Sequence, residues 1–113
     1  NGSEALITSL SGGNQQKVMF SKALRLAPRV FMLDEPTQGI DVGAKDQIHR
    51  LVDEAAANGM ATLVASTDTD ELVRLCHRVI VMIDGHISRT LKGDEITTDY
   101  IETTQLQSAR RPS

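Results

Sequence analysis

Two adjacent carboxylates, Asp34 and Glu35, come directly after the short apolar run Val30–Leu33. A run that is wholly apolar, with charges only at its exit, is typical of a central parallel strand buried on both faces. In open α/β sheets, polar groups at the end of such a strand face the crevice where ligands bind. Two neighbouring charges cost stability there unless a cation or a reacting water uses them. The pair therefore predicts a metal-binding and water-activating site, although a solvated strand exit is the usual explanation for an isolated Asp-Glu pair.

A glycine-rich turn at residues 10–16 leads straight into a predicted helix. Gly12 and Gly13 let the backbone come close to an anion, and the unpaired N–H groups and the positive dipole end of the helix face the same way. A helix end contributes about 0.3–1 kcal/mol per charge, whereas even millimolar binding needs about 4 kcal/mol. The turn can assist in binding a phosphate but cannot hold a nucleotide alone, and by itself it is more typical of a helix cap.

Alternating strands and helices must position these residues. Apolar spacings of four and five predict a helix over 13–26, which Pro28 ends. Asp41 is placed to cap a second helix, which ends at Asn58 and Gly59. The apolar stripe of that helix consists of Ile48, Leu51, Val52 and Ala55. Residues 61–65 predict another strand, and this alternation indicates an α/β fold with a mostly parallel sheet.

The last third of the chain predicts a different arrangement. Asp68, with Glu71 three residues on, resembles a capping box for a short helix over 69–75. An Asp-Gly pair at 84 and 85, between extended runs 79–83 and 86–91, is typical of a β-hairpin. A weaker helix is predicted over 95–104. Residues 107–113 are expected to form a disordered tail and residues 1–9 a truncated lead-in.

Composition excludes several classes of function. The chain has 113 residues, which suits one domain. Its net charge of −3 argues against a non-specific nucleic-acid binder, and its three aromatic residues exclude a stacking platform for single strands. Its apolar runs fall far short of the roughly 20 residues that a membrane span needs. Its single cysteine, Cys76, cannot form an internal disulfide, so a reducing, cytoplasmic setting is expected.

Three motifs in the chain resemble those of ABC ATPases. Residues 10–16 (LSGGNQQ), 30–37 (VFMLDEPT) and 39–41 (GID) are similar to the ABC signature, the Walker B strand and the D-loop, in the same order and spacing. The longer strings LSGGNQQKV and DEPTQGIDVGAK resemble the second cassette of the tandem-cassette ATPase subunits of simple-sugar importers, of the ribose, galactose and xylose type. The resemblance implies a partial P-loop NTPase domain over residues 10–106, with a mostly parallel sheet, flanking helices and a C-terminal β-hairpin.

The resemblance also implies roles for individual residues, with ATP and Mg²⁺ as cofactors. Asp34 would hold Mg²⁺, and Glu35 would polarise the water that attacks the γ-phosphate. Ser11 and the amides of Gly12 and Gly13 would contact ATP held by an opposing cassette, and Asp41 would lie in the seam between the two cassettes. The nucleotide-binding residues that it implies are Ser11, Gly12, Gly13, Gln15, Asp41 and Thr67.

The partners implied by the resemblance are those of an importer. They are a second cassette, on the same chain or another subunit, the transmembrane permease subunits and, indirectly, a periplasmic or extracellular sugar-binding protein. No nucleic acid is expected. The subunit would lie peripherally on the cytoplasmic face of the cell membrane.

The sequence departs from the ABC pattern in two places. No GxxxxGK[ST] loop occurs in it, so the dominant phosphate contact is missing, and the chain is expected to be the C-terminal part of a cassette, inactive by itself. Thr67 stands where ABC ATPases usually carry the switch histidine, and threonine has neither the charge nor the reach of imidazole. His49, His77 and His86 are expected to be ordinary packing or surface residues rather than substitutes for it. Cys76 is expected to be an inert core thiol.

Two other functions remain open from the sequence. One is an ABC-type ATPase of DNA repair or chromosome organisation, in which a coiled coil and a basic surface accompany the same motifs. Neither heptads nor a basic excess is present in this sequence. The other is a non-catalytic assembly module, which the missing phosphate loop would suit.

Overall fold

A computed structural model describes the backbone of residues 4–8, 13–26 and 29–110 and the side chains of residues 17–26 and 29–107. The chain forms two units, Asn1–Thr67 and Asp68–Ser113. The first unit contains β1 (Glu4–Thr8), α1 (Gly13–Arg25), β2 (Val30–Asp34), α2 (Val42–Ala57) and β3 (Ala61–Ala65). The second contains α3 (Thr69–Leu75), β4 (Arg78–Ile83), β5 (His86–Lys92), a 3₁₀ turn (Gly93–Glu95) and α4 (Thr98–Arg110).

A parallel sheet in the order β1-β2-β3 forms the centre of the first unit. Residues 1–9, predicted to be only a lead-in, contain β1, which pairs with the full length of β2. β2 is therefore the central strand, as predicted, and its last residue Asp34 lies between Thr8 of β1 and Ala65 of β3. The parallel sheet and its helices confirm the predicted α/β class.

One face of this sheet carries the core of the first unit. Phe31 and Leu33 of β2 are buried there, and the ring of Phe31 stacks on Phe20 of α1 with centroids 5.1 Å apart. The same core contains Ile48, Val52 and Ala55 from the predicted stripe of α2, whereas Leu51 is only half-buried. On the other face, Val30 and Met32 are half-buried and Leu63 is 58% exposed. Burial of β2 on both faces is therefore wrong for the described part of the chain.

Both helices with predicted capping residues begin as expected. The Asp41 side chain accepts a hydrogen bond from the Ala44 N–H at 2.8 Å, and Asp68 accepts one from the Glu71 N–H at 3.3 Å. α2 ends with Asn58 as its C-cap and Gly59 in the left-handed region at φ +88°. These short-range bonds satisfy N–H groups that a helix cannot pair within itself.

An antiparallel hairpin forms the sheet of the second unit. Its turn places Asp84 at φ +50° and Gly85 at φ +80°, the two left-handed residues that a tight hairpin turn of this kind requires. Val79 and Leu91 of the hairpin pack with Ile101 of α4 to form the core. The predicted helix over 95–104 is displaced, because the chain first forms a 3₁₀ turn and α4 starts only at Thr98. α4 then continues through residues 107–110, for which disorder was predicted.

The hairpin turn gives a prediction about stability. Replacing Gly85 with alanine is expected to destabilise the second unit by about 1–2 kcal/mol, because a Cβ disfavours the left-handed backbone there. Tyr100 is the only tyrosine in the chain and there is no tryptophan, so its fluorescence during urea unfolding reports on this unit alone. Gly43→Ala, in α2 of the first unit, is expected to leave the Tyr100 midpoint unchanged, since its added Cβ would meet only ordinary contact, 3.5 Å from Asp41 Oδ1. An unchanged midpoint for Gly85→Ala would mean that the turn carries no strain.

Candidate functional site

The candidate site lies where β2 and β3 end. Glu35 is the first residue after β2, and its N–H donates to the Ala65 carbonyl at 2.7 Å, which extends the contact between the two strands by one residue. The backbone of Glu35 has φ +49°, in the left-handed region. A non-glycine residue there costs about 1–3 kcal/mol, and such residues concentrate at functional sites. The fold therefore holds Glu35 in an unfavourable backbone conformation at the carboxyl end of the parallel strands.

Thr67 holds the Glu35 carboxylate through both of its oxygens. The Thr67 backbone N–H donates to Glu35 Oε1 in a short hydrogen bond, and the Thr67 hydroxyl lies 3.3 Å from Oε2, to which it donates. Thr67 follows β3 by two residues, so the ends of two adjacent strands bring the pair together. The structure thus joins the predicted water-activating residue to the predicted switch position.

Asp34 is the exposed last residue of β2, directly before Glu35. Carboxylate oxygens are hard ligands that suit Mg²⁺, which usually takes one or two of them together with waters and substrate phosphates. Among the described residues, no group of three or more His, Cys, Asp or Glu side chains could hold a metal ion. A magnesium site of one carboxylate completed by phosphates and water needs no such group, so Asp34 fits the predicted role.

The turn after Glu35 leads the chain from the site to α2. Pro36 and Thr37 are buried, the Gln38 N–H donates to the Glu35 carbonyl at 3.3 Å, and Gly39 takes φ +76°. The turn ends at Asp41, whose side chain caps α2. Within this chain Asp41 therefore has a structural role, and its place between two cassettes stays a prediction.

Two of the four predicted nucleotide-binding residues of the signature lie outside the described part of the structure. Ser11 and Gly12 fall outside the described residues. Gly13 is the first residue of α1, and Gln15 lies in its first turn with its side chain outside the described set. α1 is fixed to β2 by the stacking of Phe20 on Phe31, so the helix that follows the signature packs against the strand that carries the carboxylates.

The remaining candidate side chains do not belong to this site. His49 is buried in α2, whereas His77 and His86 are exposed at either end of the hairpin, in keeping with packing and surface roles. Cys76 is half-buried, and burial, followed by the nearby Glu71 charge, raises the pKa of its thiol. A raised pKa leaves less of the reactive thiolate, which agrees with an inert thiol.

Sequence reasoning missed the direct contact between Glu35 and Thr67. The chain separates the two residues by 32 positions, and no local pattern joins them. Pro36 disfavours a right-handed helical conformation at Glu35, so a sharp break after β2 was foreseeable. The left-handed backbone was not, because glutamate has no preference for it.

Comparisons with known proteins agree on one family. The family model described as ABC transporter matches residues 2–38. The ribose import ATP-binding protein RbsA 2 of Rhizobium meliloti is 50% identical over 95 residues, which are 84% of this chain and 19% of that protein. Ribose import ATP-binding protein RbsA of Clostridium perfringens is 47% identical over 98 residues, which are 87% of this chain and 20% of that protein. The chain thus spans about a fifth of the length of the curated relatives it matches.

Solved structures of ATP-binding cassettes share the fold of this chain. A nucleotide-free ATP-binding cassette from an ABC transporter matches with a TM-score of 0.76 and 24% identity, over 93% of this chain and 42% of the cassette. The dimeric post-hydrolysis state of another ATP-binding cassette, bound to ADP and Pi, matches with a TM-score of 0.63 and 30% identity, over 74% of this chain and 36% of that one. The predicted ABC ATPase fold and the resemblance to the sugar-importer type are confirmed. The chain belongs to the ATP-binding cassettes of ABC transporters, among which it is similar to the ribose import ATP-binding proteins.

Proposed function

We propose that this chain supplies the signature, Walker B, D-loop and switch part of an ATPase that powers the uptake of simple sugars. The observation that carries the proposal is the Glu35 carboxylate, held by Thr67 at the end of β2 and next to the exposed Asp34. A positioned carboxylate beside a candidate magnesium ligand suits phosphoryl transfer, in which charge neutralisation and alignment provide most of the rate.

The residues of the site divide this work among them. Asp34 would hold Mg²⁺, and the ion, when bound, would neutralise charge on the phosphates. Glu35 would orient the attacking water and accept its proton. Ser11 and the amides of Gly12 and Gly13, together with Gln15, would contact the γ-phosphate side of an ATP bound to an opposing cassette. Two cassettes would therefore have to meet before hydrolysis.

The substrate class follows from relatives named as ribose import ATP-binding proteins. The proposed partners are a second cassette, transmembrane permease subunits and a sugar-binding protein that delivers the substrate. Within the described ranges, none of the helices has the length and apolar character to span a bilayer. In the proposed importer, the permease subunits would supply the membrane passage, and this chain would act at the cytoplasmic face of the membrane.

A chimera tests this proposal. In it, this chain replaces the matching segment of the Rhizobium meliloti relative, to which it is 50% identical over 95 residues. The chimera is expected to hydrolyse ATP and to support ribose uptake by cells that lack the native subunit, because the chain would supply Asp34, Glu35 and the signature. The unmodified relative is the positive control. A chimera that folds and assembles with the permease but hydrolyses no ATP would contradict the proposal.

The 113-residue chain alone is expected to bind ATP more weakly than micromolar and to hydrolyse almost none, because no GxxxxGK[ST] loop occurs in its sequence. Titration calorimetry with ATP and Mg²⁺ measures the affinity directly. Micromolar binding by the chain alone would reveal a self-sufficient nucleotide pocket. It would contradict the proposal that two cassettes have to meet to form the site.

A further inference from the structure

The hydroxyl of Thr67 donates its hydrogen bond to Glu35. It lies 3.3 Å from Glu35 Oε2, while the backbone N–H of the same residue donates to Oε1. A threonine hydroxyl has one hydrogen to donate. The hydrogen given to Glu35 cannot at the same time be given to a phosphate oxygen. In this geometry the Thr67 hydroxyl therefore does not donate to a nucleotide.

The two hydrogen bonds have different chemical requirements. Any residue other than proline supplies the N–H at position 67, whereas the second bond requires a short hydroxyl side chain. With one bond alone, the carboxylate can rotate about its terminal torsion, and glutamate has considerable rotamer freedom to lose. Two donors from one residue fix the plane of the carboxylate as well as its position, as in other two-point contacts.

The rest of the site holds the backbone of Glu35 in place. The Glu35 N–H is bonded to Ala65, and the left-handed φ of +49° directs the chain out of the sheet at this point. The adjustable part of Glu35 is therefore its side chain, whose orientation depends on the two donors of Thr67.

We propose that Thr67 is a positioning residue, whose hydroxyl fixes the orientation of the Glu35 carboxylate and does not contact the γ-phosphate. This inference rests on the proposed function and changes the role that the resemblance implied for Thr67. A residue that aligns the water-activating group affects the chemical step without affecting ATP binding.

Substitutions at position 67 in the chimera test this inference. Thr67→Val is expected to lower kcat by about 10-fold to 100-fold, the loss typical of one hydrogen bond to a charged group, with KM for ATP unchanged. Thr67→Ser keeps the hydroxyl and is expected to retain most of kcat. Thr62→Val is the matched control, on the strand β3 that precedes Thr67, because its buried hydroxyl has no hydrogen-bond partner among the described residues. An unchanged kcat for Thr67→Val would overturn the inference.

A second comparison separates positioning from phosphate binding. In a Glu35→Gln background, which is expected to bind ATP, adding Thr67→Val is expected to leave the Kd for ATP unchanged and to cause no further fall in kcat. A several-fold weaker Kd for ATP in the double variant would assign Thr67 to the nucleotide instead. Thermal unfolding of every variant checks that the fold is intact.

The failure of the proposed function would be recognised separately, as an unmodified chimera without ATPase activity. The contact itself is then read from the amide proton resonance of Thr67 in the folded protein. It is expected to move upfield in Glu35→Ala and to stay in place in Thr62→Val. An unchanged chemical shift of the Thr67 amide proton in Glu35→Ala would overturn the inference, whatever the outcome for ATP hydrolysis.

Discussion

Replacing Glu35 with glutamine is expected to lower the turnover of ATP by the chimera about 10²-fold to 10⁴-fold, the range attributed to a positioned general base. The amide keeps the shape of the side chain but cannot accept a proton from the attacking water. ATP binding is expected to persist, because the substitution removes no proposed phosphate contact. The variant should therefore accumulate in the ATP-bound state.

The structure indicates that this variant keeps its fold. The amide oxygen of glutamine can still accept from the Thr67 N–H, and the amide nitrogen can donate to the Thr67 hydroxyl, which then serves as the acceptor. The left-handed backbone at position 35 is no harder for glutamine than for glutamate. A large loss of turnover with an unchanged thermal midpoint would thus report on chemistry rather than on folding.

The measurement is the steady-state release of phosphate at saturating ATP, together with the affinity for ATP. Arg50→Gln is a suitable control, since it removes one charge from an exposed pair with Asp46 on α2. Such surface pairs contribute about 0–1 kcal/mol to stability. Turnover at the unmodified rate in Glu35→Gln would remove Glu35 from the mechanism.

Sequence reasoning succeeds in this chain where short-range physics decides the structure. The bounds 61–65 for β3 and 69–75 for α3 were predicted to the residue. The Asp41 and Asp68 caps and the Asp-Gly turn were also predicted, because each depends on hydrogen bonds or backbone angles within a few residues. The position of Asp34 and Glu35 at a strand exit followed from the same local reasoning.

It fails where residues far apart in the chain decide the structure. Residues 4–8 become a strand by pairing with β2, about 26 positions away, and nothing local in them requires it. The bounds of α4 depend on Ile101, which packs against Val79 and Leu91 of the hairpin. The contact of Thr67 with Glu35 is of the same kind. The chemical identity of the site was therefore predictable, whereas its internal geometry was not.

The stacking of Phe20 on Phe31 is the structural link between the two parts of the site that the sequence identified. Both side chains are fully buried, and their rings lie within 18° of parallel. Phe20 belongs to the helix that follows the signature, and Phe31 belongs to the strand that ends at Asp34. The pair thus fixes the position of the signature helix relative to the carboxylates.

Phe31→Ala is accordingly expected to lower the free energy of unfolding by about 3–5 kcal/mol, through lost burial, the remaining cavity and the lost ring contact. Domains are typically stable by only about 5–15 kcal/mol, so this variant could lose most of its folded population. Phe31→Leu, expected to cost about 1–3 kcal/mol, keeps the effect measurable. Urea unfolding followed by far-ultraviolet circular dichroism gives both values.

Leu63→Ala is the control for the loss of a large apolar side chain from the same sheet, because Leu63 is 58% exposed. It is expected to cost well under 1 kcal/mol in this chain, since little apolar area leaves the core. A double-mutant cycle with Phe20→Leu and Phe31→Leu isolates the ring contact, for which we expect about 0.5–1.5 kcal/mol. A coupling energy of zero would mean that each ring is held by its own neighbours. α1 and β2 would then be positioned independently, which contradicts the structural link inferred from the stacking of Phe20 on Phe31.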